Sequence, residues 1–210
     1  LAMLDVEAMK EIEPHVSGVG AVRVPEEGIV DFGRVCKTLA EKINSHNGEL
    51  HLDYKVISLE RTSNGWIINR GESNAVEVDF IINTAGLHRD RVCLMAGKKP
   101  KAKIVPFRGE YFKINQDRSY LVNHLIYPVP DPKFPFLGGH FTRLIHGGIE
   151  AGPNAVLALS REGYKKTDFN FVDTMDSISF PGLWKFGTQH FSMCCSEILR
   201  SMSKSLFCKA

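Results

Sequence analysis

Phe107-Arg108-Gly109-Glu110-Tyr111-Phe112 is the stretch on which the fold of this chain turns. Downstream of it lie Leu125-Ile126-Tyr127-Pro128-Val129-Pro130-Asp131-Pro132 and Gly152-Pro153-Asn154-Ala155-Val156-Leu157. With their flanks they make four strand-length runs: Ile104 to Ile114, Leu121 to Val129, Phe136 to Leu144 and Gly148 to Leu157. Asp117-Arg118, Pro130-Asp131-Pro132 and Gly147-Gly148 punctuate them. Successive runs joined by short turns predict an antiparallel sheet. Inside it, Arg108 stands among apolar and aromatic neighbours. A guanidinium can hold a carboxylate through two parallel hydrogen bonds. An arginine paired with Glu110 or another structural carboxylate is the alternative, and the sequence leaves both open.

Upstream, Asp5 is placed to cap a helix over Val6 to Glu13, with Leu4 and Met9 as a hydrophobic staple and Pro14 as the stop. Gly18-Val19-Gly20 mimics the start of G-x-G-x-x-G but lacks the third glycine, so it reads as a turn. Asp31 caps a second helix to about Ser45, where Val35, Leu39 and Ile43 predict one buried stripe. Gly48 suits the left-handed cap beyond it. Leu50 to Glu60, Gly65 to Asn69 and Ala75 to Asn83 read as strands. Phe80-Ile81-Ile82 has the continuous apolar character of a strand buried on both faces. Thr84-Ala85-Gly86 breaks that run, and a short helix is expected from His88 to Met95. This order suits a doubly wound α/β domain. The change of composition at Lys98 to Lys103 divides residues 1–98 from 99–210. The remainder from about Asp173 reads as helices broken at Pro181-Gly182.

The 210 residues hold 43% hydrophobic and 24% charged side chains, an ordinary globular composition. A net charge of +2 argues against nucleic acid as the main partner. No apolar run approaches the length of a membrane span. The five cysteines, Cys36, Cys93, Cys194, Cys195 and Cys208, show no framework spacing, so a reducing compartment is the default. The first and last residues look unlike natural termini, and a piece of a longer protein is expected.

Tyr111 and Tyr127 could present hydroxyls to a substrate, or could be packed residues with satisfied hydroxyls. His140, in Gly138-Gly139-His140-Phe141-Thr142, could take a hydroxyl proton near neutral pH, or could be a hydrogen-bonded strand residue. His124 and His146 pose the same question. No metal-ligand spacing is present, so no metal site is expected. Small residues at Asn83-Thr84-Ala85-Gly86 would let backbone approach a ligand at the carboxyl end of a strand.

The run from Asp5 to Tyr164 resembles the L-2-hydroxyglutarate dehydrogenase/oxidase family, FAD-dependent oxidoreductases of the D-amino-acid oxidase type. The strings that carry the resemblance are Val24-Pro25 with Gly28-Ile29-Val30-Asp31, Pro106 to Phe112, Asn123-His124-Leu125-Ile126-Tyr127-Pro128, Gly152 to Ala158, and Arg161-Glu162-Gly163-Tyr164. The resemblance implies an α/β plus α+β chain. Residues 1–98 would be part of a Rossmann-like FAD domain and 99–210 an antiparallel-sheet substrate domain with helices. It implies oxidation of L-2-hydroxyglutarate to 2-oxoglutarate, with hydride passing to FAD. Val56, Thr84, Ala85 and Gly86 would lie on the cofactor side. Arg108, Tyr111 and Tyr127 would lie on the substrate side, with His140 as the candidate base. Glycerol 3-phosphate or a secondary amino acid as substrate, or a non-catalytic binding module, are the rivals. Some members feed electrons to quinone at a membrane, and the apolar and basic mixture from Leu183 to Ala210 would suit a membrane surface. A cytoplasmic, membrane-peripheral or mitochondrial location stays open, as does the oligomeric state. The family's G-x-G-x-x-G strand normally precedes the region matching Leu1, and Gly139 and His146 depart from its pattern. The 210 residues alone are therefore expected to bind FAD weakly or not at all.

Overall fold

The computed structural model describes residues 1–71, 75–130, 132 and 138–209. Strand β1 (Ala2–Leu4) pairs antiparallel with β2 (Ala21–Arg23). Between them runs helix α1 (Val6–Ile12), whose Ala8 N–H donates to the Asp5 carboxylate at 2.9 Å. That bond satisfies an amide with no partner inside the helix. Asp31 does the same for α2 (Phe32–Ser45), accepting from Arg34 N–H at 3.1 Å.

The end of α2 departs from expectation. The left-handed residue is Asn47, with φ of 61°, and not Gly48. Asn47 N–H donates to Asn44 O at 3.1 Å and Gly48 N–H to Ile43 O at 2.9 Å, the paired closure of a Schellman turn. Gly48 is needed for space, because a β-carbon there would lie 2.6 Å from Ile43 Cγ2. The stripe of Val35, Leu39 and Ile43 is also not buried, at 38%, 54% and 43% exposure. Helical spacing specifies which face is apolar but not what covers it.

Strands β3 (Ser58–Arg61), β4 (Trp66–Asn69) and β5 (Val76–Val78) form an antiparallel meander. The strand expected from Leu50 begins only at Ser58, and Asp53, with φ of 54°, interrupts extended backbone before it. The strand expected to Asn83 ends at Val78. Phe80-Ile81-Ile82 lies outside any strand, with Phe80 79% and Ile82 80% exposed. Burial on both faces needs flanking strands, and the described residues place none beside it.

A 3-10 turn (Gly86–His88) leads into α3 (Arg89–Met95), close to the expected helix. Three of the four predicted runs contain strands, β6 (Phe107–Ile114), β7 (His140–Arg143) and β8 (Ile149–Leu157), in sheet order β6-β8-β7. Leu121 to Val129 is not a strand. A 3-10 turn occupies Gln116–Leu121, and only the bridge between Ile126 and Phe141 remains. Pro128 and Pro130 lack the N–H that a ladder requires. Phe136, Leu137 and Asp131 of the predicted run and turn lie outside the described residues. Helices α4 (Phe171–Ile178), α5 (Pro181–Gln189), α6 (Phe191–Met202) and α7 (Lys204–Phe207) complete the chain. Pro181 starts α5, where its missing N–H costs nothing.

The result is a mixed helix and antiparallel-sheet chain in two compact units. One comprises Leu1–Lys42, Gly109–Val156 and Ser192–Ala210, and the other Ile43–Arg108 and Leu157–Phe191. Each gathers segments distant in sequence, and neither follows the composition change near residue 98. In the first unit Met9, Val122, Ile149 and Val156 are buried. Buried Glu13 ties the end of α1 to the 123–124 backbone, accepting from Asn123 N–H at 3.0 Å and contacting His124 Nδ1 at 2.7 Å. Helix α6 docks on β8 through Asn154 Nδ2 to Glu197 O at 2.7 Å and Ala155 N–H to Glu197 Oε2 at 2.9 Å.

In the second unit the core is ionic. Arg161, 4% exposed, forks onto both carboxylate oxygens of Asp90 and reaches Asp176 at 2.9 Å. Its backbone N–H donates to Asp173 at 2.9 Å, Arg91 pairs with Asp173 at 2.5 Å, and Lys103 pairs with Asp176 at 2.6 Å. The Arg161 hydrogen bonds hold the Asp90 carboxyl down at about 2. Burial works against ionisation of Asp173 and Asp176. It is outweighed at Asp173 by the Arg161 N–H and Arg91, and at Asp176 by Lys103 and Arg161, so both sit below the ordinary carboxylate range.

Candidate functional site

The sheet of the first unit brings three of the sequence-predicted residues together. The Ile126–Phe141 bridge is antiparallel, which sets Tyr127 opposite His140. Their ring centroids are 4.8 Å apart. On its other side His140 pairs with Gly152 of β8. Beyond Gly152 stands Tyr111 of β6, whose ring meets the His140 ring edge-on at 6.3 Å. The result is a row across the sheet: Tyr127, His140, Gly152, Tyr111.

Both tyrosines of the row are partly exposed. Tyr111 is 46% and Tyr127 48% exposed. The Tyr111 phenol is pushed up from its ordinary value, first by burial of the ring and then by the negative charge of Glu150 and by Tyr127. At neutral pH it is therefore a hydrogen-bond donor. His140 Nδ1 lies 3.3 Å from Gly138 O. A carbonyl only accepts, so that contact favours the Nδ1–H tautomer and leaves Nε2 as the basic nitrogen. An imidazole acceptor beside two phenols can bind a hydroxyl group and take its proton.

Arg108 lies on β6 but belongs by contact to the second unit. It is three positions from Tyr111, so the pleat sends the two side chains to opposite faces of the strand. Its Nη1 donates to Lys165 O at 2.9 Å. Glu110, the carboxylate considered from sequence, accepts from Ser201 Oγ at 2.5 Å. His124 is held by Glu13, and His146 lies 3.5 Å from Asp31.

The residues read as the cofactor side lie in the second unit. Val56 is half-buried in irregular backbone. Thr84, Ala85 and Gly86 form an exposed turn. Asn83 braces it, accepting from Ala85 N–H at 3.2 Å and donating to Arg89 O at 2.9 Å. Gly86 has φ of 51° and open space where a β-carbon would point. An exposed, braced turn of small residues leaves its backbone open to approach by a ligand. Nearby an open cavity of about 270 Å³ is lined by Leu59, Trp66, Phe80, Ile81 and Asn83. Arg61 stacks over Trp66 there, 5.0 Å from the ring centroid. Among the described residues no group of three or more His, Cys, Asp or Glu side chains could hold a metal ion.

Two features of this geometry were not foreseen from sequence. One is Glu150, whose charge bears on Tyr111, and the other is Gly152. The signal for Gly152 was present, since glycine inside a strand marks a close approach by another group.

A family model described as FAD dependent oxidoreductase matches residues 1–203. An L-2-hydroxyglutarate dehydrogenase from Indibacter alkaliphilus is 45% identical over 99% of this chain and 52% of its own length. The Escherichia coli protein of the same name is 40% identical, over 96% of this chain and 48% of its own. The Homo sapiens protein, named as mitochondrial, is 36% identical over 96% and 46%. The chain thus spans about half the length of the curated relatives it matches.

Proposed function

The chain belongs to the FAD dependent oxidoreductase family, and from that premise we propose that the protein carrying it oxidises L-2-hydroxyglutarate to 2-oxoglutarate. The observation that carries this reading is identity of 36–45% to relatives named for that substrate, along nearly the whole chain. The chemistry FAD supplies when bound is acceptance of hydride from the hydroxyl-bearing carbon. The Val56 backbone and the Thr84-Ala85-Gly86 turn, in the second unit, would hold its edge as part of a Rossmann-like cofactor domain, and the sheet of the first unit would supply the substrate side.

In this reading His140 Nε2 removes the substrate hydroxyl proton as hydride leaves the same carbon. Tyr111 and Tyr127 donate hydrogen bonds to substrate oxygens. Arg108 leaves β6 on the face opposite Tyr111, and we keep it as a separate candidate for a carboxylate, where a guanidinium fork gives both charge and direction. The test is a substrate panel on the full-length protein, comparing L-2-hydroxyglutarate with glycerol 3-phosphate and secondary amino acids. Arg108→Lys keeps the charge and loses the fork, so KM for the dicarboxylate should rise by about tenfold, close to one charge-assisted hydrogen bond. Unchanged turnover in Arg108→Lys would remove Arg108 from the site. Preference for another substrate would replace the substrate assignment.

A membrane-facing role is a second reading. No described helix is long and apolar enough to cross a membrane. Trp184, at 59% exposure, and Phe191, at 69%, flank Lys185 in the segment from Pro181 to Phe191, a combination suited to a lipid surface and a quinone acceptor. Flotation with anionic liposomes tests it, and a protein that stays at the bottom of the gradient ends it.

A further inference from the structure

We infer that Gly152, with Gly109 beside it, is a positioning residue that lets the Tyr111 and His140 rings meet across the middle strand of the sheet. The inference deepens the site reading above and rests on it for its functional part. The sheet order is β6-β8-β7, so Tyr111 and His140 stand on strands that are not neighbours. Adjacent strands lie about 4.8 Å apart, which sets residues two strands away near 10 Å. The two ring centroids are nevertheless 6.3 Å apart. They lean toward each other over the one position between them, and that position, the strand partner of His140, is Gly152.

Nothing larger fits there. A β-carbon at Gly152 would lie 2.8 Å from Glu110 O, 2.9 Å from Tyr111 Cδ1 and 3.2 Å from Tyr111 Cα. Two of those three atoms are backbone, so rotation of the tyrosine would not relieve the clash. Gly152 also has φ of 150°, which side-chain-bearing residues rarely adopt. Gly109 completes the slot from the same strand as Tyr111. Its β-carbon would lie 3.1 Å from Pro153 Cβ and 3.3 Å from Tyr111 Cε2. Here the crowded atoms are side chains, so a methyl group shifts the phenol without breaking the strand.

A plainer account is that the tyrosine merely covers glycine in a sheet, which stabilises sheets in general. The two accounts differ in what they move. Cover alone predicts lost stability with the ring pair unchanged. Positioning predicts that the phenol leaves the imidazole and that turnover falls through Tyr111.

The experiment uses the full-length protein with FAD supplied. Gly109→Ala and Gly152→Ala are each made with Tyr111 and with Tyr111→Phe. Stability is followed in urea, turnover with L-2-hydroxyglutarate, and the Tyr111–His140 ring contact by nuclear Overhauser effects with labelled side chains. We expect Gly109→Ala to weaken the ring contact and to lower kcat/KM by about tenfold, a fraction of the loss attributed to a 1 Å misplacement. With Tyr111→Phe already present, the same glycine change should lower kcat/KM by less than twofold. Gly152→Ala should do more of the same, and if it does not fold, Gly109→Ala carries the test. An unchanged ring contact in Gly109→Ala overturns the inference. So does an equal loss of kcat/KM in both backgrounds. If the ring contact responds but Tyr111→Phe turns over normally, the positioning stands and the assignment of Tyr111 to the substrate falls.

Discussion

Arg161 in the second unit and Tyr111 in the first both carry polar groups on strand-adjacent backbone, in opposite surroundings. Arg161 is 4% exposed and engages Asp90 and Asp176, with the Leu87 carbonyl at 2.5 Å and its own N–H on Asp173. Tyr111 is 46% exposed, and its ring rests on glycine and on the imidazole of His140. Charges taken out of water persist only where they are fully paired, so the Arg161 group can do little but hold the fold. The two tyrosines are partly exposed and His140 is half-buried, outside any such ionic group, and side chains in that position can be offered to a ligand. The contrast separates a region built for stability from one built for contact.

Breaking the ionic group should give the largest effect. Arg161→Leu strands Asp90 inside the second unit, and removal of one partner from a buried pair costs about 3–5 kcal/mol. Urea unfolding measures it. A loss within the range of ordinary surface changes would place Arg161 among the exposed pairs instead. His140→Ala should reverse the pattern, keeping stability while lowering kcat by about 100-fold or more, as for a lost general base.

Acid sharpens the comparison. Asp90 titrates at about 2 in the folded chain, below the ordinary 3.8. Its stabilising contribution is therefore complete above 3.8 and is lost as pH falls from there through about 2. The shift corresponds to about 2 kcal/mol. Unfolding free energy measured from pH 5 downward should show that loss, and Asp90→Asn should flatten it. The smallest expected effect is local. Asn170 accepts from Asp173 N–H at 3.0 Å at the start of α4, and Asn170→Ala should cost about 1 kcal/mol.

Legibility from sequence followed the range of the interaction involved. Asp5 and Asp31 were readable as caps because their bonds close within three residues. Strands β6 and β8 were readable because each carries its own apolar pattern and turn signals. Leu121 to Val129 misled because its composition was strand-like while its prolines denied the ladder. The stripe on α2 and the run Phe80-Ile81-Ile82 misled differently. Both are apolar enough to be buried, yet burial depends on elements that local pattern does not report. The row from Tyr127 to Tyr111 joins segments 16 residues apart in chain position at its ends, yet it needs the intervening register of His140 and Gly152 to exist. Types and candidates were legible there, while their meeting was not. The pairing of Arg161 left no local sequence signal, since Asp90 and Asp176 lie 71 and 15 positions away.

The most direct measurement is an anaerobic titration of the full-length, FAD-loaded protein with L-2-hydroxyglutarate, following the absorbance of the oxidised flavin and the 2-oxoglutarate formed. The account predicts bleaching of the flavin with one equivalent of 2-oxoglutarate per flavin, slowed by about 100-fold in His140→Ala. A flavin spectrum that L-2-hydroxyglutarate leaves unchanged, in a protein that another hydroxy or amino acid bleaches, would contradict it.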